Sequence, residues 1–242
     1  IEERHFGIDG LPALVKDGYA ATSRRYDARG NQVEQSYSGP DGKPILMKSG
    51  YATVKRRYDS FGNQTEIAFF DAGGALTVSN EGIARIVRKY NSRGNLIEEA
   101  LFSTDGKPAA TAGAVAMFVN TYDARGYRIE EKYFGVDGKP ALRKEGYAML
   151  HNVFDARGNE VERSYYGVDG KPTLHNDGYA VVRSTDDSRD HLISRIFLDL
   201  NRQPIAMTDS YARFENSYDV RGNLLHGDYR GVDGKPAFFR NR

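Results

Sequence analysis

One spacing, 32 residues, recurs without an insertion along the 242 positions and constrains the fold more than any other feature. The segment Tyr26-Asp27-Ala28-Arg29-Gly30-Asn31 has equivalents that begin at Tyr58, Tyr90, Tyr122, Phe154, Asp186 and Tyr218. A second mark keeps the same period: Asp9-Gly10 returns as Asp41-Gly42, Gly73-Gly74, Asp105-Gly106, Asp137-Gly138, Asp169-Gly170, Asn201-Arg202 and Asp233-Gly234. So strict a period describes a tandem array whose units bury apolar surface against their neighbours. It reads as a single array, 1–242, with a partial unit 1–8, full units 9–40, 41–72, 73–104, 105–136, 137–168, 169–200 and 201–232, and a partial unit 233–242. Both ends cut through a unit, so the chain is expected to be a segment of something longer.

Inside the unit the hydrophobic period is two. Tyr51 to Tyr58 leads into Asp59-Ser60-Phe61-Gly62, and Asn63 to Phe70 runs back, β-branched and aromatic residues on either side of Asp/Gly punctuation. That pattern predicts a β-hairpin with a three-residue loop, whose glycine takes a left-handed position. The ten-residue stretch from one hairpin to the next carries Pro12, Pro44, Pro108, Pro140, Pro172, Pro204 or Pro236 and is expected to be a loop. Leu14, Leu46, Val78, Leu142 and Leu174 suggest that one of its side chains packs down.

If Asp and Asn flank the loop directly, the register sets Arg24 across from Glu34, Arg56 from Glu66, Arg88 from Glu98, Asn120 from Glu130 and Asn152 from Glu162. Ser184 then faces Ser194 and Asn216 faces His226, so the two positions change together. The same face carries Ala20, Ala52, Ala84, Ala116, Ala148, Ala180 and Ala212 and reads as the buried side. The opposite face carries Tyr37, Phe69, Tyr133, Tyr165, Phe197 and Tyr229, a semi-exposed aromatic row. About fourteen strands in succession curl or split an open sheet, so the fold expected is all-β, stacked hairpins in a spiral or solenoid-like antiparallel sheet.

Composition excludes several classes of function. Lys and Arg total 34 against 33 Asp and Glu, so no net field attracts nucleic acid or anionic lipid. No apolar run is long enough to cross a bilayer as a helix. The absence of cysteine removes disulfides and thiolate chemistry.

The Tyr-Asp-x-x-Gly-Asn hairpin, as in Tyr26 to Asn31 and Tyr218 to Asn223, resembles the YD repeats of bacterial Rhs-type proteins. The Tyr-Phe-Gly-x-Asp-Gly-Lys-Pro run, here Tyr133 to Pro140, is similar to longer repeats of large bacterial proteins. The resemblance covers nearly the whole chain and implies a bacterial origin and stacked hairpins. Rhs-type repeats are shorter than this 32-residue unit and wind a sheet into a shell that can enclose a toxin segment.

Catalytic constellations are weak here. His5, His151, His175, His191 and His226 each occupy a different place in the repeat, and no phosphate loop or nucleophile elbow is present. Asp186, Asp187, Asp190 and His191, with Asp199, form an acidic cluster that reads as a decayed turn. The Glu row from Glu2 through Glu162 reads as structural ion pairing, and Lys43, Lys107, Lys139, Lys171 and Lys235 as a solvated rim. No cofactor, metal, nucleic acid or membrane insertion is expected.

The expected role is a non-enzymatic scaffold or adhesion and interaction surface, part of a larger bacterial surface or fibre-forming protein. Its partners would be protein, through self-association or a larger assembly, outside the cell or on its surface, with the cytoplasm as the alternative. A second reading makes it a repeat module that stacks glycan or peptide on the aromatic row, with Tyr133 and Tyr165 foremost. A third makes it the shell or stalk for a toxin or enzyme domain elsewhere.

Overall fold

The computed structural model describes residues 1–111, 114–207 and 211–237. The last five positions of the expected partial unit 233–242 therefore lie outside the described residues. The strands are β1 Glu2–Arg4, β2 Ala21–Tyr26, β3 Gln32–Ser38, β4 Thr53–Tyr58, β5 Gln64–Phe70, β6 Arg85–Tyr90, β7 Leu96–Phe102, β8 Met117–Tyr122, β9 Arg128–Phe134, β10 Met149–Phe154, β11 Glu160–Tyr166, β12 Val181–Asp186, β13 Leu192–Leu198, β14 Arg213–Tyr218 and β15 Leu224–Arg230. Every even strand begins 32 residues after the even strand before it. Two compact units result, one of residues 1–119 with 135–139, the other of 120–134 with 140–242. Within each, antiparallel strands pair with their neighbours in chain order, and the fold is an all-β array of stacked hairpins.

The loop is as the turn chemistry predicts. Asp27 donates its N–H to the Asn31 carbonyl at 2.9 Å, Gly30 donates to Asp27 at 3.1 Å, and Gly30 sits at φ 85°. In the sixth copy Asp190 takes that position at φ 66°, which Asp tolerates better than most residues.

The register beyond the loop differs from the expected one by a single residue. Tyr26 pairs with Gln32, but Arg25 pairs with Glu34, so Val33 is an extra residue opposite none. Thr65, Ile97, Val161, Ile193 and Leu225 are equivalent β-bulges. Glu34 is therefore opposite Arg25 rather than Arg24, Glu66 opposite Arg57 rather than Arg56, Glu98 opposite Lys89 rather than Arg88, and Glu162 opposite Val153 rather than Asn152. Likewise Ser194 faces Thr185 and His226 faces Ser217. Glu130 lies beside Lys132 at 2.8 Å and faces His151, while Asn120 is buried.

A one-residue slip moves every side chain of a strand to the other face. The aromatic row is therefore not semi-exposed on the far side. Thr22 faces Tyr37, Val54 faces Phe69, Leu150 faces Tyr165, Val182 faces Phe197 and Phe214 faces Tyr229. The rings share one face with the buried alanines: Tyr133 is 3% exposed, Tyr37, Tyr165 and Phe197 are buried, Phe69 is half-buried, and Tyr229, in the last hairpin, is 37% exposed. We call this the ring face and its opposite the charged face.

The linkers extend the hairpins. Pro44 bridges Ser38, Pro140 bridges Phe134 and Pro172 bridges Tyr166, and the residue after each proline donates to the strand, as Ile45 does to the Tyr37 carbonyl at 3.1 Å. Proline's missing donor thus costs nothing here. Leu14, Leu46, Val78, Leu142 and Leu174 do not pack down; all are exposed, because the pairing turns Ile45 and its equivalents inward and these outward.

Candidate interaction surface

The loop edge is a seam between repeats. Asp27 Oδ1 accepts the N–H groups of Arg29 and Asn31, and Oδ2 accepts Asn31 Nδ2 at 3.0 Å. Asn31 in this way holds the Asp27 carboxyl below its usual range; Asn63 and Asn223 do the same for Asp59 and Asp219. The rigid turn aims its arginine at the next repeat. Arg29 Nη1 donates to the Ser60 carbonyl, Arg125 to Asp155, Arg157 to Asp187 and Arg189 to Val220, each at 2.6 Å. In the second copy Phe61 replaces this arginine and projects 85% exposed.

A second reach runs the other way. The Tyr58 hydroxyl donates to the Gln32 carbonyl at 3.2 Å, Tyr90 to Gln64 at 3.0 Å and Tyr218 to Leu192 at 3.1 Å. Those carbonyls adjoin the bulges, where the ladder is interrupted and a backbone acceptor needs another donor. Phe154 lacks the hydroxyl, and there Asn152 Nδ2 donates instead to the Arg128 carbonyl at 3.0 Å. The repeat motif showed the tyrosine and the arginine; their targets, in other repeats, became visible only in three dimensions.

On the ring face, linker residues missed by the sequence reading complete a ladder. In the second unit Tyr133, Tyr147, Tyr165, Tyr179, Phe197, Tyr211 and Tyr229 follow one another with ring centroids 4.8–5.9 Å apart. In the first, His5, Tyr19, Tyr37, Tyr51 and Phe69 do so at 4.7–6.1 Å. Such tilted contacts add stabilisation beyond burial. Burial pushes Tyr37 up to about 12 and raises Tyr133, Tyr165 and Tyr179 as well. Burial in this ladder leaves Tyr37, Tyr133, Tyr165 and Phe197 little ring surface on which a glycan could stack.

The charged face pairs its glutamates. Glu34 meets Arg25 at 3.0 Å and Lys55 at 4.0 Å, Glu66 meets Arg57 at 3.8 Å, and Glu98 meets Lys89 at 2.8 Å. Glu162 sits between Arg183 at 2.7 Å and Arg202 at 2.5 Å, which hold its carboxyl low against its partial burial. On the rim, Lys43, Lys107, Lys171 and Lys235 lie 3.0–4.0 Å from the aspartates two residues before them.

The acidic cluster is a turn. Asp187 caps it exactly where Asp27 caps the first, and the His191 N–H holds its carboxyl down to about 2. The His191 ring stacks on Tyr218 at 4.8 Å, and Asp190 pairs with Arg157 at 3.1 Å. Of the remaining histidines, His175 stacks on Tyr179 at 5.0 Å and His226 lies 3.1 Å from Asp228. Among the described residues no three His, Asp or Glu side chains form a cation-binding group.

The fold recurs in solved structures. The chain shares its fold with Tc toxin chains. It superposes on a chain of the Photorhabdus luminescens Tc holotoxin pore carrying a mutant TccC3 with a TM-score of 0.57 at 16% identity, and on a chain of the TcdB2-TccC3-Cdc42 structure with 0.57 at 18%. The matches cover 94% and 93% of this chain and 10% of each of those chains, so it spans about a tenth of their length. No protein-family model and no curated protein matches the sequence.

Proposed function

We propose that this chain is a non-enzymatic structural scaffold, a stretch of stitched hairpin wall within a larger bacterial protein assembly whose partners are proteins. The observation that carries this reading is where the repeated polar groups go. The turn arginines and the flanking tyrosines, the groups best placed by the repeat to act on a ligand, are spent on backbone carbonyls of neighbouring repeats. The likeness to Tc toxin chains supports membership of a multi-protein assembly and an extracellular or cell-surface place over a cytoplasmic one. No helix among the described residues is long and apolar enough to cross a membrane.

The test is electron microscopy of the particle that carries this chain in its producing cells. An ordered wall built of these hairpins supports the scaffold. Recovery of the chain as a free monomer that turns over a substrate overturns it. A second reading, that the wall encloses or supports a toxin or enzyme domain, is favoured by the same likeness and predicts a polypeptide in that particle that resists protease until the wall is unfolded.

A further inference from the structure

In the first unit the ring face carries a row of arginines, Arg24, Arg56 and Arg88, and its members are partnered unequally. Arg24 donates from both Nη1 and Nη2 to Glu3 Oε2, at 3.2 and 3.1 Å, on the strand before it. Arg88 donates from Nε to Glu99 at 2.7 Å on the strand after it, and from Nη1 to the Gln64 amide at 2.6 Å. Arg56 is the intervening copy. The position before it that corresponds to Glu3 is Gln35, whose amide oxygen is taken by Gln32 Nε2 at 2.9 Å. The residue directly opposite, which corresponds to Glu99, is Ile67.

Arg56 is half-buried, and its Nη1 is shut off from solvent without a hydrogen-bond partner. No carboxylate among the described residues reaches it. It stands by the ring ladder: Tyr37 and Tyr51 lie 6.1 Å apart between centroids, and although burial pushes both phenols up, the Arg56 charge acts against it. A half-buried guanidinium without a counter-charge is costly, and its planar fork matches a carboxylate better than any other common group. The two phenols near it are neutral and bring no competing negative charge.

We propose that Arg56 is a receptor for a carboxylate supplied from outside the chain, taken by the Nε and Nη2 edge of the guanidinium, which is not closed off as Nη1 is, on the ring face between Val54 and Tyr58. The site takes by binding what Arg24 and Arg88 have in cis. One charge-assisted fork supports an affinity on the order of millimolar. The proposal does not depend on the scaffold role, because that role is read at the loop edge, from other residues.

The experiment follows the Arg56 Nε–H resonance in the ¹⁵N-labelled chain, assigned by its loss in Arg56→Met. The titrants are sodium acetate, the peptide acetyl-Gly-Glu-Gly-amide and its Gln counterpart, with sodium chloride at equal ionic strength as the blank. A saturable shift with acetate and the Glu peptide, but with neither the Gln peptide nor chloride, supports the site. The Arg88 resonance, already paired, should stay still. Tighter binding of the peptide than of acetate assigns a polypeptide source; equal binding per carboxylate assigns a free small acid.

Ile67→Glu supplies the missing partner from within, and should raise the melting temperature and abolish the carboxylate response. If that variant does not fold, Arg56→Lys, which keeps the charge but loses the fork and with it the Nε–H signal, should weaken binding several-fold as read from the backbone amide resonances of Val54 and Tyr58. An Arg56 signal that does not move with acetate, one that answers chloride as well, or a carboxylate response that survives undiminished in the variant used overturns the proposal.

Discussion

Replacing Tyr58 by Phe removes one hydroxyl and changes no volume that matters to the ring face, so its cost is the cost of a hydrogen bond between repeats. The bond runs 3.2 Å to the Gln32 carbonyl and is partly buried. A net hydrogen bond contributes about 0.5–1.5 kcal/mol, and a carbonyl left beside a bulge has no ladder donor to take over. About 1 kcal/mol is expected, equivalent to about a fivefold increase in the open population. Tyr90→Phe should behave alike, from its 3.0 Å bond to Gln64. Tyr218→Phe should not: Asn216 Nδ2 also donates to the Leu192 carbonyl, at 3.2 Å, and remains when the hydroxyl goes, so the loss should stay below about 0.5 kcal/mol. Tandem arrays need not unfold in two states, so the assay is hydrogen exchange by mass spectrometry, read locally over β3, β5 and β13. A Tyr218→Phe effect equal to or larger than that of Tyr58→Phe would refute the reasoning, as would three silent variants.

Phe61→Arg should restore the missing staple by offering a guanidinium to the turn carbonyls 30 and 31 residues on, stabilising that turn by up to about 1 kcal/mol in local hydrogen exchange while removing an exposed ring. Arg202 holds φ 63° where most copies have glycine and pairs with Glu162 at 2.5 Å. Arg202→Gly should relieve about 1 kcal/mol of left-handed strain and lose an ion pair of similar or smaller size, a net change within about 0.5 kcal/mol by denaturant titration. The depressed carboxyls of Asp27, Asp59, Asp155, Asp187 and Asp219 contribute stability above their unfolded value near 3.8. That contribution should vanish as pH falls from 3.8 toward the folded value of about 2 at Asp187, measured as a falling melting temperature that Asp187→Asn blunts. On the alkaline side, the raised phenols favour the folded state only below about 10, and stability should decline as pH climbs from there through about 12 at Tyr37, with ultraviolet tyrosinate absorbance appearing as the chain unfolds.

The hairpin, its three-residue loop and the positive φ of its glycine were legible because Asp, Gly and Asn have few other uses in that order. The bulge was not legible, for a physical reason visible in the residues that form it. Val33, Thr65, Ile97, Val161 and Ile193 are β-branched and look like any strand residue. Charge matching was blind to the slip as well, since Arg24-Arg25, Arg56-Arg57 and Arg88-Lys89 place a cation opposite the glutamate in either register. The aromatic row held the discriminating signal. Leaving Tyr37, Tyr133, Tyr165 and Phe197 half in water wastes large apolar area, whereas the bulged register buries them with the alanines. The staples at Arg29 and Tyr58 needed a neighbour's backbone to be seen, and the orphan at Arg56 needed both its neighbours.

The two reaches across these seams also fix the distance in sequence over which this chain must organise itself. Arg29 finds its acceptors 30 and 31 residues ahead, and Tyr58 finds its acceptor 26 residues behind. No bond of this kind lengthens when repeats are added, so the loop closed in forming each contact stays the same size however long the array grows. Relative contact order therefore falls with every duplication, and the search for native pairing stays local to two adjacent repeats. A gene that lengthens such a wall by copying one unit need not slow its assembly on the ribosome, where each new hairpin emerges beside the one whose bulge carbonyl its tyrosine will cap.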